Sequence, residues 1–140
     1  MDLADSITSS EINNTSVASR NFAALLENNR TEFVISKFEN YLIFIISQYA
    51  KVGNLYAVTL EQLENGVLNP SPVYDIRHLF GDDSIEIEAG VRFVVGQLNI
   101  RTPIVMCLTL INYELETLRL VVEALKIHFS IQENGNLNSE

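Results

Sequence analysis

Two stretches of the chain, Tyr41–Ile46 (YLIFII) and Ile104–Ile111 (IVMCLTLI), are almost unbroken runs of apolar residues. A strand with one face in water alternates apolar and polar residues; these two do not, so both of their faces need cover. Tyr41–Ile46 leads through Lys51-Val52-Gly53-Asn54 into a second β-rich run, Leu55–Leu60. Gly and Asn reach the positive φ that a tight turn requires. Tyr41–Leu60 is therefore expected to form the central hairpin of an antiparallel sheet.

The flanking segments follow the same logic. Arg20–Leu26 and Thr31–Phe38 enclose Asn28-Asn29, and Asn tolerates the left-handed region, so a first hairpin is expected, although RNFAALL by itself also suits a helix and propensity does not decide between them. Neither face of its second strand is wholly polar: Phe33 and Ile35 point one way, Glu32, Val34, Ser36 and Phe38 the other. Gln62–Pro72 is punctuated by Asn65-Gly66, Asn69-Pro70 and Ser71-Pro72 and reads as a loop. Val73–Phe80 then forms a strand with Tyr74, Ile76, His78 and Phe80 on one face. Asp83 and Glu86 resemble a capping box, and Ile87, Val91, Val94 and Leu98 make one helical stripe, placing a helix over Ser84–Asn99. Asn112 is a good N-cap for a second helix, Glu114–Phe129, whose stripe is Leu115, Leu118, Val122, Leu125 and Phe129, with Leu120 and Val121 off it. Lys126 and His128 fall in its last turn, where positive charge is favoured. The expectation is one α+β domain over residues 20–129, an antiparallel sheet of five to six strands with two helices in the order ββββ(β)αβα. Residues 1–19 and 130–140 are polar and are expected to be a flexible lead and a flexible tail.

The 140 residues suffice for one domain with a real core. With 18 acidic against 9 basic residues the net charge is −9, and the basic residues never cluster, which argues against nucleic acid and anionic membranes as partners. The single cysteine, Cys107, lies within an apolar run and fits a buried hydrophobe in a reducing compartment. The first residues, MDLADSITSSEINN, lack the basic and apolar regions of a signal peptide, and no apolar run approaches a membrane span. A cytosolic, or also nuclear, protein is expected. Catalytic signatures are missing: no Gly-rich phosphate loop, no nucleophile elbow, two histidines without ligand spacing, and many carboxylates but none paired in a way that implies acid–base work. His78 reads as a core or partner-facing imidazole, and Asp82, Asp83, Glu86 and Glu88 as capping and solvated charge rather than a metal site. No enzyme activity, cofactor or metal is expected.

What the sequence does carry is a demand for burial. Two helices cover one face of such a sheet, and the remaining apolar surface calls for another chain.

The order of elements, and several residues within it, resemble the proteasome assembly chaperone 3 family. Thr31–Glu61 is similar to that family's core: an apolar strand, then Gln48-Tyr49-Ala50-Lys51, then Gly53 into the next strand. His78–Asp83 matches a strand ending in Gly-x-Asp, and Ile85–Phe129 matches the helix, apolar strand and closing helix. The similarity covers about Asn21 to Phe129; residues 1–19, 130–140 and Gln62–Pro72 stand outside it. The resemblance implies a non-enzymatic chaperone that pairs with a fourth assembly chaperone of similar fold, or with itself, and helps build the α-ring of the 20S proteasome by engaging α subunits. It singles out Gln48, Tyr49 and Lys51 as contact candidates, each with a plain structural alternative. For the pairing face the central strand offers two registers, Tyr41/Ile43/Ile45 and Leu42/Phe44/Ile46. Ile43 and Phe44 stand for them, and the sequence does not choose. Two other readings remain at this point: a roadblock- or longin-like scaffold docking a small GTPase, and a small-molecule binding domain.

Overall fold

The two apolar runs become the middle of one sheet. The computed structural model describes residues 16–61 and 72–138. They form β1 (Ser16–Leu26), β2 (Asn29–Phe38), β3 (Leu42–Ser47), β4 (Asn54–Leu60), β5 (Tyr74–Gly81), α1 (Ile85–Gln97), β6 (Ile104–Thr109) and α2 (Leu115–Asn138). The six strands lie in the order β1-β2-β3-β6-β4-β5. Every pairing is antiparallel except β3 with β6, which is parallel. The α+β class, strand number and element order agree with the expectation from sequence.

The central hairpin does not form. β6 inserts between β3 and β4, so the two halves of Tyr41–Leu60 are not neighbours. The segment between them instead crosses the end of β6 and is tied to it. The backbone N–H of Gln48 donates to the Thr109 carbonyl at 2.9 Å, and that of Gly53 donates to Thr109 Oγ1 at 3.0 Å. Neither Gly53 nor Asn54 has positive φ; the left-handed residue here is Ala50, at 57°. Gly53 is needed for closeness instead: a Cβ there would lie 2.9 Å from Thr109 Cγ2. The physical reason is burial. A strand apolar on both faces gains most in the sheet interior, and the slot between β3 and β4 gives β6 neighbours on both edges.

The first hairpin forms as expected, one residue early. Glu27 and Asn28 carry φ of 53° and 66°, the signature of a two-residue type I′ turn. β1 begins at Ser16, within the stretch expected to be a flexible lead, because ladder hydrogen bonds to β2 need no apolar side chains. The rest of that lead, residues 1–15, and the expected loop, residues 62–71, lie outside the described residues.

Both helices pack on the same face of the sheet. α1 buries Ile87, Gly90, Val91, Val94 and Val95. Its N-cap is Ser84 rather than Asp83: Ser84 Oγ accepts from the Ile87 N–H at 3.1 Å, while the Asp83 carboxylate accepts from the Tyr56 hydroxyl at 3.0 Å. Asn99, at φ 54°, ends the helix, with the Ile100 N–H returning to the Val95 carbonyl at 3.1 Å. α2 buries Leu118, Val121, Val122 and Leu125. Leu115, expected on that stripe, is 49% exposed, and Val121, expected off it, is fully buried; the helix is turned so that the pattern starting at Leu118 faces the core. The side chain of Phe129 lies outside the described residues. The helical backbone continues past Phe129 to Asn138, where a polar tail was expected; no proline interrupts it and each further residue adds a backbone bond. His128 therefore does not sit in a last turn. It stacks on Phe22 of β1 with centroids 3.6 Å apart. Phe22 in turn stacks on Phe33 at 4.6 Å.

Candidate interaction surface

The register of β3 decides which apolar face is free. Leu42, Phe44 and Ile46 oppose Lys37, Ile35 and Phe33 on β2 and Ile104, Met106 and Leu108 on β6. All of these except Lys37 belong to the core under the helices, and Phe44 is 0% exposed. Phe44 is thus corrected from contact candidate to core residue. The other register carries Ile43 and Ile45 to the opposite side of the sheet, over which no helix lies among the described residues. On that side Val34 is the Cα partner of Ile45, Val105 of Ile43, and Ala57 of Val105. Each of these five is half-buried by its neighbours, leaving a continuous aliphatic surface across β2, β3, β6 and β4.

β5 extends this surface through a bulge. Leu55 pairs with Phe80 and Tyr56 with His78, so Leu79 is an inserted residue. The expectation that Phe80 shares a face with Tyr74, Ile76 and His78 is therefore wrong: the bulge shifts Phe80 to the side of Leu55, where it is 54% exposed. His78 stays on the helix side. Its ring meets the Tyr56 ring edge-on at 5.3 Å, and its Nε2 donates to the Gly81 carbonyl at 2.8 Å. Burial, reinforced by the hydrogen bond to Asp83, pushes the Tyr56 hydroxyl up to about 12. Tyr56 is thereby a neutral anchor of β4 to the start of α1.

The family-motif residues split into two groups. Gln48 is a tie between strands: its Nε2 donates to Thr31 Oγ1 at 3.0 Å, and its Oε1 accepts from the Ile111 N–H at 2.8 Å. Ser47 Oγ accepts from the backbone N–H groups of Tyr49 and Lys51, both at 3.1 Å, and holds the turn. The side chains of Tyr49 and Lys51 then project outward, Tyr49 at 52% exposure. Val52 beside them, with Glu32, Val34 and Ile45, lines a depression of about 180 Å³ at the edge of the helix-free face. Val34, Val105, Ala57 and Phe80 were not singled out from sequence. The mixed polarity of both faces of β2 was a signal for Val34, and the absence of alternation in IVMCLTLI was a signal for Val105.

The chain is thus a single mixed sheet with two helices on one side, an aliphatic surface on the other and outward polar residues at one rim. The profile of the proteasome assembly chaperone 3 family matches residues 44–127, and the chain belongs to that family. No curated protein sequence matches it. Among solved structures, a chain of a yeast complex described as a novel chaperone complex for 20S proteasome assembly has the same fold. The TM-score is 0.64 at 14% identity, over 81% of this chain and 99% of that one. The chain is accordingly a member of a family of proteasome assembly chaperones.

Proposed function

We propose that this protein is a non-enzymatic chaperone that pairs through the helix-free face of its sheet and promotes assembly of the α-ring of the 20S proteasome. The partner in the pair is a similar small chaperone, of the fourth-chaperone type, or a second copy of this chain. The observation that carries the reading is the aliphatic surface of Val34, Ile43, Ile45, Val105 and Ala57 in a chain of this family. Surface of this kind is a liability in a monomer and a driving force in a pair. The yeast complex of the same fold supports pairing by analogy.

Tyr49 and Lys51 are proposed as contacts to an α subunit, since their side chains are exposed at one rim and make no side-chain hydrogen bond or ion pair among the described residues. A net charge of −9 suits a protein that works in the cytosol or nucleus without adhering to nucleic acid. The test is recovery of the tagged chain from its own cells. The expected result is co-purification of α subunits and one small chaperone in particles lacking mature β subunits. Recovery of neither contradicts the proposal.

A further inference from the structure

The helix side of the molecule carries its own apolar opening. A groove of about 430 Å³ runs between the N-terminal halves of α1 and α2, lined by Ile85, Ala89, Phe93, Tyr113, Leu115 and Leu118. Gly90 lies at its floor, where a Cβ would come within 3.2–3.3 Å of Leu108, Leu118 and Tyr113, so glycine lets the helices and β6 close up beneath it. Ile85 is 87% exposed and Leu115 is 49% exposed. Each is the first residue of its helix, a position where folding asks only for a helix former and where polar residues do as well. Burial within this chain does not account for two large, exposed aliphatic side chains lining the same groove.

We propose that this groove is a docking site for a segment of a partner protein that presents a large apolar side chain beside a lysine or arginine. Charge supports that choice of partner. Glu86 is the charged residue of the lining, and it makes no ion pair among the described residues. Glu114 and Glu116 flank Leu115, and Asp82 and Asp83 precede α1; of the cations on the two helices nearby, Arg92 is already paired with Glu88 at 3.2 Å, and Arg119 lies a turn beyond Leu115. An apolar anchor fills the groove while its basic neighbour meets Glu86 at the rim, the usual division between a dehydrated centre and a polar edge. The volume lies in the range of concave binding sites. Because the groove is on the opposite side of the sheet from Ile43 and Val105, both surfaces can be occupied together. The proposal rests on the chaperone reading to the extent that the partner is taken to be a proteasome α subunit.

The test uses the full chain, in its native pair, against each purified α subunit by surface plasmon resonance. Replacing both exposed residues, Ile85→Gln with Leu115→Gln, is expected to weaken binding at least about tenfold, with the pair and the circular dichroism spectrum unchanged. Glu86→Lys is expected to weaken it by roughly three- to tenfold and to remove part of its salt dependence. If the Gln variant binds the same α subunit within twofold of wild type, the groove is not the docking site, and the chaperone reading stands. If Glu86→Lys strengthens binding, the basic character of the partner segment is wrong. If the unaltered protein binds no α subunit, the groove proposal and the chaperone reading fall together.

Discussion

At the residue scale, Leu108 gives both of its backbone groups to side chains. Its N–H donates to Asn54 Oδ1 at 2.9 Å, while its carbonyl accepts from Asn54 Nδ2 at 2.8 Å and from the Tyr113 hydroxyl at 2.7 Å. The buried amide of Asn54 thus stands in for a strand backbone where β4 parts from β6. Asn54→Leu keeps much of the volume but orphans the Leu108 N–H, and should cost about 1–3 kcal/mol in urea denaturation. Gly53→Ala should destabilise by roughly 1–3 kcal/mol through its clash with Thr109, and Thr109→Ser should recover part of that loss. Both residues stand out in the sequence, as turn formers. Their actual work depends on Thr109 and Leu108, which only the folded chain brings beside them.

At the element scale, the stack of Phe33, Phe22 and His128 joins β2, β1 and α2, with Arg20 Nη1 donating to His128 Nδ1 at 3.5 Å. Burial, and then the Arg20 charge, push the imidazole below its ordinary 6.5. The folded state therefore favours neutral His128, while the unfolded chain takes up a proton below 6.5. Stability from this contact is present above that pH and is lost as pH falls through and below it. His128→Gln should flatten the dependence of the unfolding midpoint on pH across that window. An unchanged slope would show that His128 does not couple α2 to β1. The strands and helices themselves were legible in the sequence, because apolar runs, helical stripes and caps are local signals. The order of the strands was not. The slot for β6 between β3 and β4 is a choice between pairings of similar local merit, decided by how much apolar surface the whole sheet buries.

At the scale of the whole molecule, the two registers of β3 have opposite fates. Phe44 lies in the core, and Phe44→Ala should cost about 3–5 kcal/mol. Ile43, one residue away, faces the helix-free side, and a charge there should leave the monomer intact. The sequence offered both residues, one from each register, as candidates for a pairing face and did not choose between them. It lacked the positions of the helices, which are needed to choose. The groove of Ile85 and Leu115 was hidden for a related reason: Leu115 fits a helical stripe on paper and leaves it only when α2 is turned against α1.

Native mass spectrometry of the chain, alone and co-expressed with the proposed small chaperone partner, compares wild type with Ile43→Glu most directly. The account predicts a two-chain species for wild type in one of the two settings, and for Ile43→Glu a monomer with the wild-type circular dichroism spectrum and cooperative unfolding. A wild-type chain that stays monomeric at tens of micromolar in both settings, or an Ile43→Glu chain that still pairs, would contradict it.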